Sequence, residues 1–263
     1  ALKVLLADTL GGYQDAYVAD PGGAGVLGSL FVVSAYSFQI YFDFSAYCDM
    51  AIGLGLMFGV RLPVNFASPY KASSIIEFWR RWHITLSRFI RDYLYYPLGG
   101  NRKGPNRRYA NLMTAMILGG LWHGAAWNFV FWGGLHGFFL AINHFWHTVR
   151  RRRGHDLSAS TPVGRWVARL ITFIAVVIAW VFFRANSWEA ALAILGGMAN
   201  LNGIGESVDF AWRANGAEFA WLGILLAFVW FAPNSQELMQ EDEPALDPSP
   251  PVLIPYLASR MPP

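Results

Sequence analysis

Charge, cysteine and internal repetition are what this sequence has least of. Of its 263 residues, 14% are charged and 55% hydrophobic, against roughly 25% charged in an ordinary soluble domain. So small a polar fraction, with a mean hydropathy of +0.32, argues against a soluble globular chain and makes lipid its bulk solvent. The single cysteine, Cys48, excludes an internal disulfide framework and a Cys-rich zinc site and reads as a small buried hydrophobe. No internal repeat is found, which weighs against a transporter built from paired discontinuous helices. Residues 1–22 lack the basic start, apolar core and cleavage site of a secretory signal, and no methionine opens them, so the chain is expected to be a fragment with helices missing upstream. A net charge of +3 and a pI of about 9.1 come from short basic clusters between apolar runs. That distribution fits loops at an anionic membrane surface, and no nucleic-acid partner is expected.

What the chain does have is apolar length. Residues 26–44 carry one charge, Asp43, and suffice to cross roughly 30 Å of hydrocarbon. Residues 46–60 hold Gly55 and Gly59 in small-xxx-small spacing and read as a second helix, short, tilted or broken at Pro63, packed closely on a neighbour. Residues 73–96 are amphipathic, with Trp79, Trp82, Leu86, Phe89, Ile90 and Tyr93 on one face and Arg80, Arg81, Arg88 and Arg91 mostly opposite, the pattern of an interfacial or re-entrant helix. Ser74 and Glu77 have capping-box spacing, and Pro97, Gly99 and Gly100 end the segment. Residues 112–122 and 125–146 are apolar around a glycine-rich middle, and the run 150–153 of four arginines places its end in the cytoplasm. Residues 166–183 then span outward to Arg184, residues 186–217 are extracytoplasmic, and 218–231 return. The expected fold class is all-α, a polytopic transmembrane helical bundle with interfacial or re-entrant helices over residues 1–233. Residues 234–263, rich in proline and acidic side chains, form a loosely ordered cytoplasmic tail.

A charged group at the centre of a spanning helix costs roughly 2.5–3.5 kcal/mol, so ionisable residues there need a reason. His83 lies four residues after Trp79 and three before Leu86, beside the apolar face. His123 is flanked by Gly119, Gly120 and Gly124, where a ligand or another backbone can come close. Imidazole suits proton transfer near neutral pH, and burial favours the neutral form that acts as a base. His136, in an equally apolar stretch, is a second candidate. His144, His147 and His155 read as interfacial, and no carboxylate or cysteine falls within the same turns as His144 and His147, so no metal site is expected. Asp43 and Asp49 either bond helix to helix or orient a catalytic partner. The arginines hold lipid headgroups or clamp phosphates, which guanidinium forks match.

Five runs carry a resemblance: YFDFSAYCDMAIGLGLMFG at 41–59, LPVNFASPY at 62–70, EFWRRWHITLSRFIRDYLYYPLGGNRKG at 77–104, LGGLWHGAAWNFVFWGGLHG at 118–137 and VFFRA at 181–185. Over residues 1–185 the chain resembles the membrane-bound O-acyltransferase (MBOAT) family, in the bacterial branch that O-acetylates alginate and related exopolysaccharides. The resemblance implies a tunnel through the membrane, an acyl donor entering from the cytoplasm and an acceptor approaching from the other side. It pairs His123 of the Trp-His-Gly motif with His83, forty residues upstream. His123 would be the general base toward an attacking hydroxyl, and His83 would orient the donor or stabilise the oxyanion. Acetyl-CoA would be the donor, with Arg80, Arg81 and Arg88 on its phosphates, and Asp43, Asp49, Trp122, Asn128 and His136 in support. No serine or cysteine sits in a nucleophile-elbow context, so transfer would be direct. The resemblance further implies a multi-pass protein of the bacterial inner membrane, partner proteins on the extracytoplasmic side, and missing N-terminal helices that form one wall of the tunnel. The acceptor stays open among alginate, cellulose, peptidoglycan sugars and other glycans, with D-alanyl transfer to teichoic acid more distant. A non-catalytic scaffold for polysaccharide export and a proton-coupled transporter are the rival readings.

Overall fold

Between Val26 and Met57 nothing in the sequence breaks a helix, and the two segments expected there are one. The computed structural model describes residues 26–156, 161–201 and 216–238, with Asp8 and Leu10. Its first helix, α1 (Val26–Met57), has 32 residues and a length of about 48 Å. The expected boundary near Ser45 holds no proline or glycine, so the hydrogen-bond ladder runs through it. The helix ends at Gly59, whose φ of 72° permits a left-handed cap: Gly59 N–H donates to Leu56 and Val60 N–H to Gly55, the Schellman pattern. This corrects the small-residue reading as well. A Cβ on Gly59 would meet nothing within 4 Å, and one on Gly55 would meet the Val60 carbonyl and Leu62 of its own returning chain. Among the described residues, Met50, Leu54 and Met57 at the end of α1 are exposed.

The single amphipathic helix expected over 73–96 is also revised. It divides into α2 (Ile75–Arg81), α3 (Ile84–Phe89) and a π-turn, Ile90–Tyr95. At the break, Trp82 is extended and His83 left-handed. The break and the π-turn shift the register, and Phe89 and Tyr93 are left at 53% and 69% exposure while Trp79, Trp82, Leu86 and Ile90 stay buried. Ser74 caps α2 by accepting from Glu77 N–H at 3.1 Å. The return bond of the expected box lands one residue earlier, on the N–H and hydroxyl of Ser73.

Two further helices, α4 (Gly104–His123) and α5 (Trp127–Arg152), form a hairpin around Gly124–Ala126. A Cβ on Gly120 would overlap the Phe129 carbonyl, and one on Gly133 the Met116 carbonyl. Of the glycines near His123, Gly120 therefore serves backbone contact between the two helices, whereas Gly119 faces the Ile90 side chain and Gly124 the Phe129 ring. Next come α6 (Pro162–Arg184), α7 (Trp188–Met198), α8 (Gly216–Phe231) and the single turn α9 (Ser235–Leu238). The helix α7, capped by Ser187 and packed through Ala191 and Ile194, falls in a stretch expected only to be extracytoplasmic.

All regular structure among the described residues is helical, and α1 and α6 are long and apolar enough to cross a membrane. The core is aromatic. Tyr70 sits at its centre, donating to the Ser37 carbonyl and meeting Phe38, Tyr41, Phe78, Trp82 and Phe173. The readings made for residues 1–22, Asp8 and Leu10 apart, and for the tail from residue 239 onward lie outside the described residues.

Candidate active site

The break between α2 and α3 exists because a loop residue takes over the backbone donors that would have continued the helix. Asn65 does this twice. Its carbonyl accepts from Ile84 N–H at 3.0 Å, and its Oδ1 accepts from Thr85 N–H at 3.1 Å and Thr85 Oγ1 at 2.9 Å. Beside it, Ala67 N–H donates to the Arg81 carbonyl at 3.0 Å and Arg81 Nη1 donates to the Ala67 carbonyl at 3.2 Å. Residues 65–67 thus brace the break like a short ladder and hold His83 at φ 43°, ψ 56°, a conformation that non-glycine residues keep only where their surroundings impose it.

His83 Nδ1 lies 3.2 Å from the same Asn65 Oδ1, and Asn65 Nδ2 donates to Cys48 Sγ at 3.4 Å. The His83 ring meets Phe44 edge-on, centroids 4.8 Å apart. His123 is the last residue of α4 and stands edge-on to Trp132 at 5.2 Å and Phe183 at 5.1 Å. Trp122 joins the two imidazoles, with its ring 5.0 Å from His123 and 6.5 Å from His83. Both histidines are half-buried. Two imidazoles against aromatic walls, reachable at one side, can divide proton transfer and polar stabilisation between them.

The other predicted residues are placed differently. His136 is fully buried, its Nδ1 accepts from Trp79 Nε1 at 3.3 Å, and Trp132 stands between it and His123. Asn128 donates to the Ala185 carbonyl at 2.8 Å and ties the start of α5 to the end of α6. Asp49 accepts from Ser235 and Gln236 of α9. Asp43 is half-buried on α1, next to the Phe44 that meets His83.

The three arginines do not form one group. Arg81 is bonded to Glu77 at 2.7 Å as well as to Ala67. Arg88 is exposed near Asp92, and Arg80 lies near His144, as does Arg108. Burial by itself would raise the Glu77 carboxyl; the Ser73 N–H and hydroxyl and the Arg81 guanidinium outweigh it and hold Glu77 below the ordinary carboxylate range.

Asn65 and Thr85 were not singled out from sequence. The available signal was a lone amide within the apolar, proline-bounded run LPVNFASPY at 62–70.

Residues 24–183 match the model of the membrane-bound O-acyltransferase family. The chain is 45% identical over 219 residues to the peptidoglycan O-acetyltransferase of Helicobacter pylori, covering 81% of this chain and 40% of that protein. It is 48% identical over 192 residues to the probable alginate O-acetylase AlgI of Pseudomonas aeruginosa, covering 72% of this chain and 34% of that one. With the teichoic acid D-alanyltransferase of Streptococcus thermophilus it shares 31% identity over 183 residues, 64% of this chain and 44% of that protein. The matched region thus spans about two fifths of the length of these curated relatives.

Proposed function

This chain belongs to the membrane-bound O-acyltransferase family, and from that premise we propose that it forms the histidine-bearing part of a membrane O-acetyltransferase that modifies an exopolysaccharide such as alginate. The observation that carries the proposal is the convergence of His83 and His123 on Trp122. Forty residues apart in sequence and carried by separate elements, they meet at a half-buried aromatic site. One imidazole takes the proton of an attacking hydroxyl, and the other stabilises charge on the thioester carbonyl. The hydroxyl oxygen bonds to the acyl carbon, the carbon–sulfur bond breaks, and the proton leaves with the thiol.

Acetyl-CoA, entering from the cytoplasm, is the proposed donor. Arg80, which like Arg108 lies near His144, would be the arginine best placed for its phosphates, since Arg81 is already committed to Glu77 and Ala67. The proposed setting is the bacterial inner membrane, crossed several times by the full-length protein, with an extracytoplasmic partner completing delivery to the polysaccharide. The names of the relatives support acyl transfer to cell-surface polymers and differ in the acceptor.

The test is polysaccharide O-acetylation in cells carrying the full-length parent protein, with His83→Ala and His123→Ala compared at matched membrane levels. Loss of acetyl ester in both, with each protein still inserted, is the expected result. Undiminished acetylation in His123→Ala would return the scaffold and the transporter to first place.

A further inference from the structure

We propose that Asn65 is a positioning residue for acyl transfer: its amide oxygen fixes the His83 tautomer, so that His83 Nε2 is the atom that takes the proton of the attacking hydroxyl. The inference rests on the transferase reading above and adds to it a residue and an assignment of roles.

The Thr85 backbone N–H can only donate, and it points at the Asn65 side chain from 3.1 Å. The amide atom it meets is therefore the oxygen, and the opposite end, toward Cys48 Sγ, is the NH₂. The His83 Nδ1 lies 3.2 Å from that oxygen and can bond to it only as a donor. A neutral imidazole carries one N–H, so Nε2 is left with its lone pair. In that state Nε2 accepts a proton and cannot donate to an oxyanion. This reverses the roles implied by the resemblance: His83 becomes the base, and donation to the oxyanion falls to His123.

The step balances without another reactant. As the hydroxyl oxygen bonds to the thioester carbonyl carbon, its proton passes to His83 Nε2. The imidazolium keeps its Nδ1–H on Asn65. When the carbon–sulfur bond breaks, the departing thiolate takes the proton from Nε2, and ester, free thiol and neutral His83 result. An amide in this place orients the ring without burying a second charge. The loop geometry serves the same end, because Asn65 also pins the left-handed turn that aims the ring. The titratable and charged groups around His83 are Cys48 on α1 with Asp49 beside it, His123 on α4, and Arg81 on α2, which is engaged by Glu77 and Ala67.

The test measures acetyl transfer against pH in membranes carrying the full-length protein and its partners, for the wild type, Asn65→Ala, Asn65→Asp and His123→Ala. Asn65→Ala, at matched membrane level, is expected to lose tenfold or more of the neutral-pH rate. Asn65→Asp can still accept from Nδ1–H, and its carboxylate makes His83 more basic. It should keep measurable transfer, with the acid limb of the pH profile moved up by roughly one unit or more. An Asn65→Asp acid limb that coincides with the wild-type limb, or an Asn65→Ala rate within twofold of wild type, overturns the assignment. If Asn65→Ala does not insert, the Asn65→Asp limb decides alone. Undiminished transfer in His123→Ala would instead count against the transferase reading itself.

Discussion

His136 and His123 look alike in sequence, each an imidazole among glycines in an apolar run, and only their surroundings tell them apart. His136 is wholly enclosed, stacked on Phe78 and bonded to the Trp79 indole. Because Trp79 Nε1–H is a donor, His136 Nδ1 must accept, which puts the His136 hydrogen on Nε2. His136→Phe keeps the ring and orphans the Trp79 N–H, so it is expected to destabilise the full-length protein by about 1–3 kcal/mol. Thermal unfolding in detergent checks this, alongside acetyl transfer per inserted molecule, which should stay within a few-fold of wild type with an unchanged pH profile. Stability unchanged with transfer abolished would place His136 in the active site. The histidines were legible in sequence as candidates. Their division into one packed ring and two reachable ones was not, since it depends on contacts between residues as much as 57 positions apart.

At the scale of elements, the hairpin of α4 and α5 depends on which glycine faces which carbonyl. Gly133 has the Met116 carbonyl where a Cβ would go, whereas its neighbour Gly134 has only the Ile117 side chain at 3.8 Å. Gly133→Ala is expected to cost about 1–3 kcal/mol through forced separation of the helices, and Gly134→Ala to leave the unfolding midpoint nearly where it was. Equal effects of the two would remove the close crossing as the reason for the glycines. The sequence marked this region as tight but left open whether a ligand or a backbone filled the space. Elsewhere, local pattern misled. The apolar period runs through Trp82 and His83 without interruption, yet the helix stops there because Asn65, distant in sequence, captures the donors of Ile84 and Thr85. Where the stopping signal is local, as at Gly59, its left-handed cap can be recognised in hindsight from the sequence.

For the molecule as a whole, residues 232–236 are fastened by polar groups to α1 and to residues 68–71. Asp49 of α1 accepts from Ser235 and Gln236, Asn234 Nδ2 donates to Ser68 Oγ at 2.8 Å, and Lys71 Nζ donates to the Ala232 carbonyl at 2.7 Å. Asp49→Ala removes two of these bonds at once and should lower stability by about 1–3 kcal/mol. In membranes it should also speed proteolytic cleavage near α9; cleavage at the wild-type rate would show that the fastening is not maintained there. By itself, the sequence determined the helical class, the preference for lipid, the apolar character of the segments that become α1 and α6 and the pair of histidines at a forty-residue spacing. The first three follow from composition or short-range periodicity, which act along the chain, and the pairing of the histidines follows from the family resemblance. The tertiary structure decided where α2 ends, which glycines bring backbones together, which histidine is enclosed, and that an amide from a loop holds His83. Those outcomes are settled by hydrogen bonds and steric contacts between segments far apart in sequence, and no local pattern encodes such contacts.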